Sequence, residues 1–301
     1  MIPDFQKIML PLLSILSDGL EHSTIETNEK VARLFDLTDE EINLYLPSGV
    51  AKTFPNRVAW AKSHLKMAGL LENTKRSYFK ITEAGKRILE NNPTSINLRI
   101  LKTIPAYQEK TGRVKEEDLS SDLDNIQLSA TPEETLENSY LKIRKNLAQE
   151  LLLKIRSCNP SFFEKLVVEL LVKMGYGGSI KDAGQSIGRS GDEGIDGIIK
   201  EDRLGLDVIY IQAKRWENVV GRPEIQKFIG VLAGQGAKKG VFITTSRYTK
   251  EARDYQPRND TKIVLIDGEQ LADLMIDFNL AVSTSTIFEI KRIDNDYFGE
   301  E

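Results

Sequence analysis

Gly194-Ile195-Asp196-Gly197 and, a little further on, Val208-Ile209-Tyr210-Ile211-Gln212-Ala213-Lys214-Arg215-Trp216 decide how the second half of the chain folds. In a β-strand side chains alternate between faces. Tyr210, Gln212 and Lys214 therefore form one row, and Ile209, Ile211 and Ala213 form the other, which an apolar helix can cover. A short turn over 201–205 predicts antiparallel pairing of a strand at 194–200 with one at 206–214. That pairing brings the Asp196 carboxylate, the Gln212 amide and the Lys214 ammonium to one end of the sheet.

Working outward, the flanking segments alternate in period. A helix is expected from Pro223 to Gly234, a strand in GVFITTS (240–246), a helix over 249–255, a strand over 262–268 and a helix over 269–278. Upstream, Pro160 suits the first turn of a helix reaching Met174, with Ser161 and Glu164 read as its capping box and Gly175 as its stop. Strands alternating with helices imply an α/β core whose central sheet is covered on both faces. A helix over 133–155 carries Leu136, Tyr140, Ile143, Leu147, Leu151 and Ile155 at helical spacing.

Residues 1–92 have a different texture. Phe5, Ile8, Met9, Leu12, Leu13 and Leu16 mark a first helix, and further helices are expected over 24–35, from Thr38 (capping box with Glu41) and over 56–68. Two short strands, 70–72 and 78–82, flank a basic turn, and a last helix reaches about Asn91. This is the element order of a winged helix-turn-helix, in which one helix enters the major groove and the hairpin touches phosphates. The net charge of -4 hides a segregation. Residues 1–51 carry 3 basic and 9 acidic side chains, whereas 52–87 carry 9 basic and 2 acidic. Local field matters more than the sum, because charges beyond about 10 Å are screened. Arg57, Lys62, Ser63 and Lys66 on the helix and Lys75, Arg76 and Lys80 on the wing are the expected DNA contacts; a merely solvated face is the bland alternative.

The whole chain sets limits. Its 301 residues suffice for two cores, with an ordinary 40% hydrophobic and 29% charged composition. Apolar runs are too short to span a bilayer, and the N-terminus lacks the basic cluster and cleavage site of a signal peptide, so a cytoplasmic location is expected. The single cysteine, Cys158, excludes an internal disulfide and a cysteine-based zinc cluster. Without a Gly-Lys-Ser/Thr loop, ATP hydrolysis is not expected. His22 and His64 lie near no plausible serine or cysteine nucleophile. Residues 93–135 lose periodicity and read as an acidic, polar linker with one short helix near 98–104. Its most acidic stretch, 116–124, could fold back on the basic wing when the protein is idle.

A carboxylate, an amide and a lysine on one patch suit phosphodiester hydrolysis. Mg²⁺ takes carboxylates plus water and phosphate oxygens, and lysine stabilises charge developing on phosphorus. GDEGIDG followed by VIYIQAKRW resembles the core of the PD-(D/E)xK nuclease superfamily, and more closely the Mrr-like type IV restriction endonucleases. NRVAWAKSHLKMAGLL and GRPEIQKFIGVLAGQGAKKGVFITTS extend the likeness over nearly the whole chain. It implies an α+β two-domain protein: a winged helix-turn-helix over 1–92, the linker over 93–135, and a restriction-endonuclease-like core with a central mixed sheet over 136–301. In that resemblance Asp196 matches the metal-binding aspartate and Lys214 the catalytic lysine. Gln212 stands where the superfamily has Asp or Glu, so the Ala213 carbonyl and Glu164, an acid in an apolar helix row, become further candidate ligands, with Asp192 behind them.

The resemblance further implies Mg²⁺, methylated double-stranded DNA as substrate, and a homo-oligomer (dimer or tetramer) to cut both strands, with the helix at 133–155 as part of the contact. Arg215 is a candidate DNA contact, Trp216 either that or a lid on the core, and Trp60 and Tyr78 candidate methyl-base contacts. Two other readings stay open: a structure-selective repair or junction nuclease, and a DNA-binding regulator whose core has decayed.

Overall fold

The computed structural model describes residues 1–111, 130–177, 194–202, 206–255, 260–291, 293–294 and 297. The chain divides into two compact units, Met1–Leu141 (with the stretch from Lys291) and Lys142–Ile290. Among the described residues no helix is long and apolar enough to cross a membrane.

In the first unit α1 (Phe5–Ile15) starts where the Asp4 side chain accepts the Lys7 N–H at 3.0 Å, and it buries Phe5, Ile8, Met9, Leu12 and Leu13. The strand β1 (His22–Ser23) leads into α2 (Thr24–Leu34), then α3 (Asp39–Ile42), whose expected Thr38–Glu41 capping box is present. Next come α4 (Thr53–Met67), the hairpin β2 (Leu71–Lys75) and β3 (Tyr78–Ile81), and α5 (Glu83–Glu90). The strands form an antiparallel sheet in the order β1-β3-β2. One expectation needs correcting here. Residues from 93 onward do not begin as a tether: α6 (Leu98–Leu101) and α7 (Pro105–Thr111) place Ile96, Leu98, Leu101 and Tyr107 in the first core. Four large apolar side chains in that short stretch outweigh its polar neighbours. The acidic stretch 116–124 lies outside the described residues.

The long helix α8 (Pro132–Ser157) extends the expected 133–155 by a residue or two at each end. Within the second unit its Leu151 and Ile155 enter the core, and Arg144 pairs with Asp273 at 3.2 Å and Asp277 at 2.7 Å. Then follow α9 (Pro160–Lys173), β4 (Gly197–Lys200), β5 (Val208–Lys214), α10 (Arg222–Gly234), β6 (Lys239–Thr244), α11 (Lys250–Arg253), β7 (Lys262–Ile266) and α12 (Gly268–Asp277).

The sheet order is β4-β5-β6-β7, with β4 antiparallel to β5 and the other pairs parallel, which is the expected mixed sheet. The period-2 reading of β5 holds. Ile209, Ile211 and Ala213 join Phe163, Val167 and Leu170 of α9 and Leu271 and Met275 of α12. On the other face Phe228 and Leu232 of α10 cover Phe242, with Tyr210 alongside. A Cβ on Gly240 would come within 2.8 Å of Leu232 and Phe228, so α10 lies directly on that glycine. One side of β5 is thus dedicated to core, which leaves the Gln212–Lys214 end to carry polar chemistry.

Candidate active site

Asp196 is fixed by backbone geometry. Its N–H donates to the Ile211 carbonyl at 2.9 Å, and its Oδ2 accepts the Ala213 N–H at 2.7 Å. Antiparallel pairing of Gly197 with Ile211 sets this register, so the carboxylate lies where the sequence places it, at the Gln212–Lys214 end of β5. Gly194 makes room: its φ is +102°, and a Cβ there would stand 2.9 Å from Gln212 Nε2. The Gln212 side chain is buried, whereas Lys214 is half-buried and its Nζ lies 5.6 Å from the Trp216 ring centroid.

Glu164 reaches the same place from α9. The Asn159 side chain, not Ser161, caps this helix by accepting the Phe162 N–H at 2.7 Å, and Pro160 occupies the first turn. The capping-box role expected for Glu164 is therefore corrected, and its carboxylate is free of that duty. Burial and the nearby charge of Asp196 push the Glu164 carboxyl above its usual range, with Lys214 pulling the other way. Burial likewise raises Asp196, against the Ala213 N–H and the Lys214 charge. Two carboxylates that feel each other in a partly desolvated place, with a cation beside them, form a donor set suited to a hard divalent ion. Asp196, Glu164, the Gln212 amide and the Ala213 carbonyl are the candidate oxygen donors named from the sequence. Among the described residues no group of three or more His, Cys, Asp or Glu side chains is arranged to hold a metal, and Asp192 lies outside the described residues.

The basic residues of the first unit sort into two groups. Arg57 turns inward: its Nε donates to Glu134 at 2.7 Å and its Nη1 to the Ile2 and Pro3 carbonyls. Trp60 does the same, its indole N–H donating to Glu133 at 2.6 Å. Lys62 donates to Thr24 Oγ1 at 3.1 Å and lies over the Phe79 ring; burial, then the charge of Lys66, lowers its pKa. Ser63 and Lys66 on α4, and Lys75, Arg76 and Tyr78 on the hairpin, are exposed. Lys75 lies 4.2 Å from the Tyr78 ring centroid and 3.6 Å from Glu21, and Lys80 pairs with Glu72 at 3.2 Å. In the second unit Arg215 donates to the Arg156 carbonyl at the end of α8, so it serves an internal bond.

Residues 5–91 match the Mrr N-terminal domain, and residues 155–275 match the Mrr catalytic family, described as a restriction endonuclease. Over 306 aligned positions the chain is 36% identical to the type IV methyl-directed restriction enzyme EcoKMrr of Escherichia coli (strain K12), with 99% of each chain covered. The chain belongs to the Mrr family of restriction endonucleases. Two solved structures are also similar to this Mrr-family chain. The DNA modification-dependent restriction endonuclease AspBHI matches with a TM-score of 0.36 and 17% identity, covering 70% of this chain and 56% of its own. MspJI in complex with a 27-mer oligonucleotide matches with a TM-score of 0.27 and 17% identity, covering 68% and 51%. The chain thus spans about half the length of these two solved chains.

The sequence reading of this Mrr-family site missed the residues that hold its backbone. Thr244, Thr245 and Ser246 are buried, and their hydroxyls donate to the carbonyls of Lys214, Trp216 and Glu217. The signal was present in GVFITTS, where three consecutive hydroxyl residues end an otherwise apolar strand.

Proposed function

We propose that this Mrr-family enzyme hydrolyses phosphodiester bonds of methylated double-stranded DNA with Mg²⁺, its N-terminal unit serving as a winged helix-turn-helix that docks on the duplex. The convergence of Glu164 and Asp196 beside Lys214 carries the reading, since Glu164 feels the charges of both Asp196 and Lys214, and Asp196 that of Lys214. Asp196 and Glu164, with the Gln212 amide and the Ala213 carbonyl, would hold the metal. When bound there, Mg²⁺ supplies charge neutralisation and polarises a phosphate.

The chain's own groups do the rest. The Lys214 ammonium, held near Trp216, is poised to meet negative charge on the phosphate. Gly194 leaves room for the Gln212 amide, which packs where a Cβ would stand. On the first unit the exposed Ser63 and Lys66 of α4 and Lys75, Arg76 and Tyr78 of the hairpin are the surface offered to DNA, with Tyr78 the available methyl-base contact. Arg57, Trp60 and Arg215 take internal roles. The domain division proposed on this basis is a DNA-docking unit at the N-terminus and a catalytic unit beginning within α8, working as a homo-oligomer that presents two sites to two strands.

The test is cleavage of matched methylated and unmethylated plasmids with Mg²⁺, beside Asp196→Ala and Lys214→Ala. Cutting confined to the methylated plasmid and lost in both variants is the expected outcome. Equal cutting of both plasmids points to a structure-selective nuclease. Intact binding without any cutting points to a regulator with a decayed core.

A further inference from the structure

Beyond β5 the chain leaves the sheet as an excursion over 215–219, with Trp216, Glu217 and Val219 exposed, and it rejoins the core at Val220, paired with Tyr248. The parallel register with β6 ends at Lys214 opposite Thr244. The Lys214 carbonyl at its root accepts the Thr245 N–H at 3.2 Å and the Trp216 N–H at 3.0 Å, whereas the Trp216 and Glu217 carbonyls lie beyond the ladder. Three consecutive side chains reach all three carbonyls, adding a bond at Lys214 and serving Trp216 and Glu217. Thr244 Oγ1 donates to the Lys214 carbonyl at 2.9 Å, Thr245 Oγ1 to the Trp216 carbonyl at 2.8 Å, and Ser246 Oγ to the Glu217 carbonyl at 3.0 Å.

The hydroxyl row is itself held. The Ser246 N–H donates to Thr244 Oγ1 at 3.1 Å, the Ser246 carbonyl accepts the Gly268 N–H at 2.8 Å, and the Thr245 carbonyl accepts Arg156 of α8. A Cβ on Gly268 would stand 2.6 Å from the Thr245 carbonyl oxygen, so α12 begins in direct contact with this row.

The cost of this arrangement shows what it is for. Thr244 and Thr245 have no exposed surface and Ser246 has 5%. Valine at 244 would fill the same space and favour the strand, and valine at 245 with alanine at 246 would avoid burying the other two hydroxyls. The hydroxyls are instead committed to a loop that buries almost nothing until Val220. What that loop carries is Lys214 at its root and the Trp216 ring 5.6 Å from the Lys214 Nζ.

We infer that Thr244, Thr245 and Ser246 are positioning residues: by clamping the carbonyls of Lys214, Trp216 and Glu217, they fix the ammonium and the ring beside it relative to the carboxylates. The inference rests on the reading of Lys214 as a catalytic group. Because about 1 Å of misplacement costs on the order of a hundredfold in rate, the clamp acts on turnover while leaving DNA affinity alone.

The experiment uses the full chain and single-turnover cleavage of methylated plasmid at saturating enzyme, with DNA affinity and Tm measured in parallel. The variants are Thr244→Val, Thr245→Val and Ser246→Ala, the hydroxyl-keeping Thr244→Ser and Thr245→Ser, and Lys214→Ala. The valine and alanine variants are expected to slow cleavage by about tenfold to a hundredfold with affinity within about twofold. The serine variants are expected to recover most of the rate. Ser246→Ala removes one oxygen atom and keeps the measurement available if a valine variant does not fold. Full-rate cutting by Lys214→Ala overturns the site reading and the clamp with it. Loss of cutting in Lys214→Ala with normal rates in the hydroxyl-deleted variants overturns the clamp alone. Rate and Tm that fall together, with no recovery in the serine variants, also overturn it, leaving only a structural role.

Discussion

Substituting Gly194 by alanine separates the two things this glycine does. Its φ of +102° is one that residues with a Cβ rarely adopt, at a cost of order 1–3 kcal/mol. The added methyl would also meet Gln212 Nε2 at 2.9 Å, closer than a carbon and a nitrogen normally approach. The obstacle is the far end of a side chain, so the amide gives way cheaply and stability bears little beyond the backbone term. Gln212, however, is only 7% exposed, and in giving way its amide leaves the place against Gly194 from which it would act. Gly175→Ala is the matched control: its φ is +104° and nothing stands within 4 Å of its Cβ. Both variants should lose about 1–3 kcal/mol in urea unfolding, out of a total of roughly 5–15 kcal/mol, and both should stay folded. Single-turnover cleavage should fall about tenfold to a hundredfold in Gly194→Ala only. Equal cleavage in the two variants would refute the reasoning, because the Gln212 amide would then have no part in the reaction.

Three further outcomes are expected. Chelation of divalent metal should stop cutting without lowering Tm, and Glu164→Gln should raise the Mg²⁺ needed for half-maximal cutting by about tenfold or more, since one unit charge at about 4 Å is worth about 4 kcal/mol at an effective dielectric of 20; an unchanged Mg²⁺ titration removes Glu164 from the ligand set. Arg57→Ala should cost about 1.5–3 kcal/mol of stability by leaving the Glu134 carboxylate without its guanidinium, whereas Lys66→Ala should lower DNA affinity and reduce the salt slope by about 1; the reverse pattern would return Arg57 to the DNA surface. Burial lowers the His64 pKa, so the unfolded chain takes up this proton more readily and stability should be full above about pH 6.5 and fall as pH drops through the lower folded value. Urea unfolding at pH 7.5 and 5.5 should show that loss shrinking in His64→Gln, and an identical loss in both proteins would exclude His64 as its source.

What the sequence made legible was local. The alternation of Ile209, Ile211 and Ala213 against Tyr210, Gln212 and Lys214 needs only a strand, and the turn after β4 needs only a short connection. Glu164 stood out as an acid in an apolar row. Its cap was misread although the means to read it were present: proline favours the first helical position, so Pro160 makes Asn159, not Ser161, the residue before the helix. Arg57 and Trp60 were beyond local reading, because their partners Glu134 and Glu133 lie 77 and 73 residues along the chain. The segment 93–111 was misjudged by composition, where the spacing of four buried residues mattered more than the polar average.

The same contrast explains the split among the basic residues. A run of lysines and arginines reports a field, but only the fold decides which of them face solvent. Arg57 and Lys62 share α4 with Ser63 and Lys66, yet the helix turns the first two toward Glu134 and the Phe79 ring and leaves the others outside. Ser63 and Lys66 on α4, Lys75 and Arg76 on the hairpin and Arg87 on α5 are exposed, so the docking surface proposed above is narrower than the charge run suggests. On that proposal DNA makes fewer phosphate contacts, with a shallower salt dependence, than the nine basic residues of 52–87 would imply.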